Sequence, residues 1–301
     1  MTSYKLTPIS IPPLSDGVFS HNGTGEVSGM AHVMDPATVA GGPNDVMKLD
    51  FLPYRINVAC FHTGSPDQPN WFGVSYRAGV TSFETINLFC HPHPGHAHMS
   101  DADYQTRSGN WPRLFRYAEV VGRQVAIAQK NYVTVIPFFS NASYGDGGMF
   151  TKNWKDVLGQ ILVQVRSMAH AAAGTGLLPG MGSIHHIAAA QAANSANAGP
   201  KNLILSCFSR GRDAARVIHG RAAGIGGTLR ELWDFDGIGG SMPGAPRIIH
   251  YDRQPVQSAI DTFHLPPHRF AGWSTNVSAD GAHGLIIAFM VRHAAAISRA
   301  P

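Results

Sequence analysis

Asn202-Leu203-Ile204-Leu205-Ser206-Cys207-Phe208-Ser209-Arg210-Gly211-Arg212-Asp213-Ala214-Ala215-Arg216 changes character at its midpoint: an apolar run stops in Ser209-Arg210-Gly211, and a segment rich in Ala and Arg starts at once. The first half has the make-up of a buried strand and the second suits a helix, so the stretch predicts strand, very tight turn, helix. A turn this short pushes one side chain into the open. That residue is Ser209, whose hydroxyl could attack a substrate while the first backbone N–H groups of the helix point at the charge that develops. Cys207 and Gly211 stand on either side of it. Both occupy positions where the strand and helix backbones approach closely, which calls for small side chains.

Working outward, strands and helices alternate. Upstream, Tyr132–Phe139 is a β-branched and aromatic run, hence a strand. Trp111–Gln129 reads as a helix whose apolar face is Leu114, Ala118, Val121, Val125 and Ala128, and Trp154–Ala173 as a longer one through Val157, Ile161, Val165 and Met168. Further back, Arg55–Phe61 is a buried-strand candidate that runs into His62-Thr63-Gly64. Downstream, a strand over 228–236 ends in a Gly-rich loop and one over 247–252 ends in an acid. A helix over 255–263, a short strand over 270–275 and an apolar closing helix over 284–298 complete the chain. The alternation implies βαβ units, and so an α/β fold: a doubly wound, mostly parallel sheet covered on both faces. We take residues 1–301 as one domain.

Composition agrees with a compact enzyme-sized domain. The 301 residues are 44% hydrophobic and 14% charged, which gives a deep core and little charged surface. The formal charge of +4 is scattered, with no basic run and no interleaving of basic and aromatic residues, so no nucleic-acid partner is expected. The three cysteines, Cys60, Cys90 and Cys207, fit no zinc spacing and cannot all pair. The N-terminus has no apolar signal region, and no stretch has the length of a membrane span. A cytoplasmic location is the expectation.

Two regions stand apart. Residues 1–50, rich in Gly, Pro, Ser and Thr, read as edge strands or an irregular N-terminal arm. Residues 65–110 read as one long loop insertion after an early strand, a candidate lid or binding loop. The insertion carries His91, His93, His96 and His98 with Asp101 and Asp103 close behind. This set could ligate a transition metal, or form a solvated loop whose prolines hold it extended.

The segment around Ser209 resembles the nucleophile elbow of the α/β-hydrolase family, Gly-x-Ser-x-Gly, with Cys207 in the first Gly position and Gly211 in the second. The resemblance covers roughly residues 54–300. It implies a triad in the chain order Ser, acid, His, which Ser209, Asp252 and His283 satisfy, with Asp236 as the alternative acid. His283 is expected in a loop between the last strand and the last helix. The resemblance further implies an oxyanion hole from the backbone of Arg210 and of the Thr63-Gly64 loop. The activity implied is serine hydrolysis of a small-molecule carboxylic ester through an acyl-enzyme, with amide and thioester cleavage open to the same machinery and no cofactor required. Two other classes stay open: a metal-dependent hydrolase built on the His-rich insertion, and a non-catalytic binding protein of the same fold.

Overall fold

The computed structural model describes residues 7–8, 25–34, 49–62, 71–90, 111–138, 154–174, 199–209, 211–220, 225–236, 246–251 and 281–301. In chain order the elements are β1 (Thr7–Pro8), β2 (Gly25–Met34), β3 (Leu49–His62), β4 (Trp71–Arg77), β5 (Thr85–Cys90), α1 (Trp111–Ile127), β6 (Tyr132–Phe138), α2 (Trp154–Gly174), β7 (Asn202–Phe208), α3 (Gly211–Gly220), β8 (Thr228–Phe235), β9 (Ile248–Tyr251) and α4 (Gly281–Ile297). The strands form one nine-stranded sheet in the order β1-β3-β4-β6-β5-β7-β8-β9, with β2 also paired to β3.

The sheet is mixed. From β6 through β5, β7 and β8 to β9 every pairing is parallel. β4 is antiparallel to both β3 and β6, which leaves β3 running the same way as the parallel set. The hairpin partner β2 runs back along β3, from Gly25 opposite Val58 to Met34 opposite Leu49. Most strands therefore point their C-terminal ends to one side of the molecule.

Helices cover both faces. Side chains alternate along a strand, so β7 sends Ile204 and Phe208 to one face and Leu203, Leu205 and Cys207 to the other. The first face packs under α1 and α4 through Ala118, Val121, Val125, Ile287, Met290 and Val291. The second packs under α2 and α3 through Leu158, Ile161, Val165, Ala214 and Ile218. β5 and β7 are buried along their whole length. Each fully buried Leu, Ile or Phe in such a layer contributes about 2–3 kcal/mol of transfer free energy. Among the described residues no helix is long and apolar enough to cross a membrane.

The insertion expected over 65–110 needs correction: β4 and β5 lie inside it, and β5 is an interior strand of the sheet. The reason is local. β4 turns Phe72, Val74 and Tyr76 into the α2 and α3 layer. Its other side carries Ser75, which meets α1 so closely that a Cβ on Gly122 would lie 2.2 Å from Ser75 Oγ. A small polar residue thus faces a helix inside a stretch expected to be loop. In β5 the polar Asn87 is completely buried and accepts a hydrogen bond from Ser206 Oγ across the sheet. Residues 91–110, with all four insertion histidines, lie outside the described residues, as do 255–263 and 270–275.

Candidate active site

β7 ends at Phe208 and α3 begins at Gly211, so only two residues make the turn. Ser209 adopts φ +52°, in the left-handed region. For a non-glycine residue this conformation is disfavoured by about 1–2 kcal/mol and persists only when its surroundings impose it. Two hydrogen bonds do so here. Ser209 N–H donates to Phe235 O at 3.2 Å, extending the β7–β8 ladder, while Ser209 O accepts from Arg212 N–H at 3.2 Å in the first turn of α3. Ser209 is half-buried at the C-terminal end of an interior parallel strand, where ligands bind in open α/β sheets.

The neighbouring thiol is not a rival nucleophile. Burial pushes the Cys207 thiol well up, and the Asp234 carboxylate and the Cys90 sulfur beside it push further in the same direction. It stays protonated near neutral pH, and the thiolate is the reactive form. The small, fully buried Cys207 does what a glycine would do at that position: it lets α3 pack close.

Of the two candidate acids, Asp236 falls among the described residues. Phe208 pairs with Phe235, so Ser209 and Asp236 follow as the next residues on adjacent strands. Asp236 also has φ +52° and donates its N–H to Tyr251 O at 2.7 Å, carrying the ladder on to β9. An Asp tolerates this backbone more readily than most residues. Asp252 follows the last residue of β9 and lies outside the described residues, as do Arg210, Thr63 and Gly64. The strand that leads into Thr63-Gly64 is β3, which ends at His62 on the same side of the sheet as Ser209. The placement of His283 is corrected: α4 starts at Gly281, so His283 belongs to the first turn of the helix and not to a preceding loop.

One pair was not anticipated as part of a site. His250 Nδ1 lies 2.8 Å from Asp234 Oδ2, and Cys207 Sγ donates to Asp234 Oδ1 at 3.5 Å. The pairing depends on β8–β9 register, which puts Asp234 opposite His250. Among the described residues no group of three or more His, Cys, Asp and Glu side chains is arranged to hold a metal ion.

No family model matches the chain, and no curated protein matches it. Among solved structures it is similar to a mutant of the esterase rPPE, at 10% identity and TM-score 0.29, over 87% of this chain and 53% of that one. It is also similar to the rice cell wall degrading esterase LipA from Xanthomonas oryzae, at 14% identity and TM-score 0.23, over 70% of this chain and 49% of that one. The chain thus spans about half the length of both. At such TM-scores the likeness by itself decides neither fold nor chemistry.

Proposed function

We propose that the chain is a serine hydrolase of α/β-hydrolase type that cleaves a carboxylic ester through an acyl-enzyme. The observation that carries this reading is the left-handed backbone of Ser209 in a two-residue turn between an interior parallel strand and a helix. A strained serine at such a turn has its Oγ thrust out at the sheet edge with helix N–H groups beside it. In the proposed reaction, Ser209 Oγ attacks the ester carbonyl while the His283 imidazole takes its proton. Asp252, with Asp236 as the alternative, fixes the imidazole tautomer and stabilises the imidazolium. The oxyanion is held by the Arg210 N–H at the start of α3 and by the Thr63-Gly64 backbone. His283 then returns the proton to the leaving alkoxide, and water repeats the sequence on the acyl-enzyme.

The test is pre-steady-state hydrolysis of a small activated ester such as p-nitrophenyl butyrate. Wild type should release a burst of p-nitrophenol stoichiometric with enzyme whenever deacylation is the slower step. Ser209→Ala should abolish the burst and lower kcat by at least about 10³-fold. Activity in Ser209→Ala within tenfold of wild type would overturn the reading. Activity lost to a chelator and restored by zinc would transfer it to a metal mechanism.

A further inference from the structure

We infer that His250, held by Asp234, is a substrate-recognition contact that hydrogen-bonds a hydroxyl on the ester at a distance from the scissile bond; the inference rests on the hydrolase reading above. Cys90, Cys207, Asp234 and His250 are consecutive register partners across β5, β7, β8 and β9, so they form one row on the α2 and α3 face of the sheet. The row lies near the C-terminal ends of the strands, two residues before Ser209 along β7.

Exposure rises along it. Cys90 and Cys207 are fully buried, Asp234 is 9% exposed, and the His250 side chain is 54% exposed. A buried carboxylate is costly unless its oxygens are engaged. Here one oxygen accepts from the Cys207 thiol and the other from His250 Nδ1–H. The same bond that satisfies Asp234 fixes the tilt and tautomer of the imidazole. His250 Nε2 has no hydrogen-bond partner among the described residues. An exposed ion pair alone would contribute little to stability. An immobilised ring whose second nitrogen has no partner among the described residues, at the ligand-binding end of a sheet, is instead a preorganised contact.

The ring is not placed to serve Ser209 itself. β9 stands two strands from β7, and the row trails Ser209 by two residues, which together put the two sites roughly 12 Å apart. That exceeds hydrogen-bond reach, so His250 meets a different part of the substrate. With Nδ1–H given to Asp234, Nε2 accepts a hydrogen bond when the ring is neutral and donates one when it is protonated. A hydroxyl can partner both states, whereas a carboxylate suits only the protonated ring and would also feel Asp234. A hydroxylated acyl chain of medium length fits the span.

The experiment compares p-nitrophenyl 8-hydroxyoctanoate with p-nitrophenyl octanoate. Wild type should show a KM about tenfold lower for the hydroxylated ester, the worth of one hydrogen bond. His250→Phe should raise that KM and erase the preference, while His250→Gln, which keeps an acceptor, retains part of it. Asp234→Asn, whose amide oxygen can still receive the Nδ1 proton, should behave like the glutamine variant. No preference in wild type, or a preference that survives in His250→Phe, overturns the inference. So does a fall in kcat by orders of magnitude on both esters alike, which would make His250 part of the reacting chain. If wild type hydrolyses neither ester, the hydrolase reading falls, and titration of isotope-labelled protein with 1,8-octanediol then decides the contact. Movement of the His250 ring signals upholds it, and their silence overturns it.

Discussion

Glu231 and Ser209 belong to neighbouring strands, yet the ends of the sheet around them are built differently. Glu231, on β8, is 1% exposed and fully engaged: it accepts from Trp233 Nε1 at 2.8 Å, Arg247 Nη1 at 2.7 Å and Arg299 N–H at 2.6 Å. Around it the N-terminal ends of the strands are closed by the segment after α4. Thr85 donates to Pro301 O at 2.6 Å, and Tyr132 to Ala300 O at 2.8 Å. At the other end, Ser209 and Asp236 are held at φ +52° and the His250 side chain is 54% exposed. The first end gathers satisfied hydrogen bonds, with one non-glycine residue at positive φ, Gln129 ahead of β6; the other holds two, Ser209 and Asp236, at the tips of adjacent interior strands. Such a division is expected where one edge of a parallel sheet carries stability and the opposite edge carries chemistry.

The sharpest way to probe the end that holds Ser209 is to ask which carboxylate completes the proposed triad. Asp252→Asn should lower kcat by about 10⁴-fold, because the amide can hold the imidazole in the wrong tautomer. Asp236→Asn should leave kcat within about tenfold of wild type. The reverse ranking in steady-state assays would assign the acid to the end of β8, beside Ser209 in register.

The satisfied end should respond in stability instead. Burial alone would push Glu231 up, but the hydrogen bonds from Trp233, the Arg299 N–H, Arg247 and Ser298 outweigh it and hold the carboxyl below its ordinary value. A group whose folded value is depressed stabilises the fold above its unfolded value and loses that contribution as pH falls through the folded one. Glu231→Gln should therefore lower unfolding free energy by about 2 kcal/mol at neutral pH, the scale of a charge-assisted hydrogen bond lost in a buried site. The gap should narrow as pH drops below about 4.3, the value of a free glutamate. Urea midpoints across that range check the sign, and kcat per folded molecule should not change. A loss of kcat without a loss of stability would break the division between the two ends.

A smaller effect reads the strain itself. At positive φ an alanine is penalised and a glycine is not, so Ser209→Gly should be more stable than Ser209→Ala by about 1 kcal/mol. Equal urea midpoints for the two variants would mean that the turn relaxes and stores nothing.

The contrast also marks what was legible in the residue order. β6 announces itself as a β-branched and aromatic run and β7 as an apolar one, and the faces of α1 and α2 recur with helical spacing. The tight strand-to-helix turn was legible because Ser209-Arg210-Gly211 leaves too little chain for any other. β4 and β5 were not. An interior strand covered on both faces shows no alternation, and the polar Ser75 and Asn87 find their places only against Gly122 and Ser206, far away in sequence. The pairing of Asp234 with His250 was hidden for a related reason. It depends on the register of two parallel strands, and a slip of one residue would send the two side chains to opposite faces.

The most direct measurement of the central claim is the site of covalent capture by a fluorophosphonate probe, read by peptide mass spectrometry on the intact chain. Wild type should give a single stoichiometric adduct on Ser209, slowed by orders of magnitude in His283→Ala and absent in Ser209→Ala. No adduct on an active enzyme, or an adduct on another serine that survives in Ser209→Ala, would contradict it.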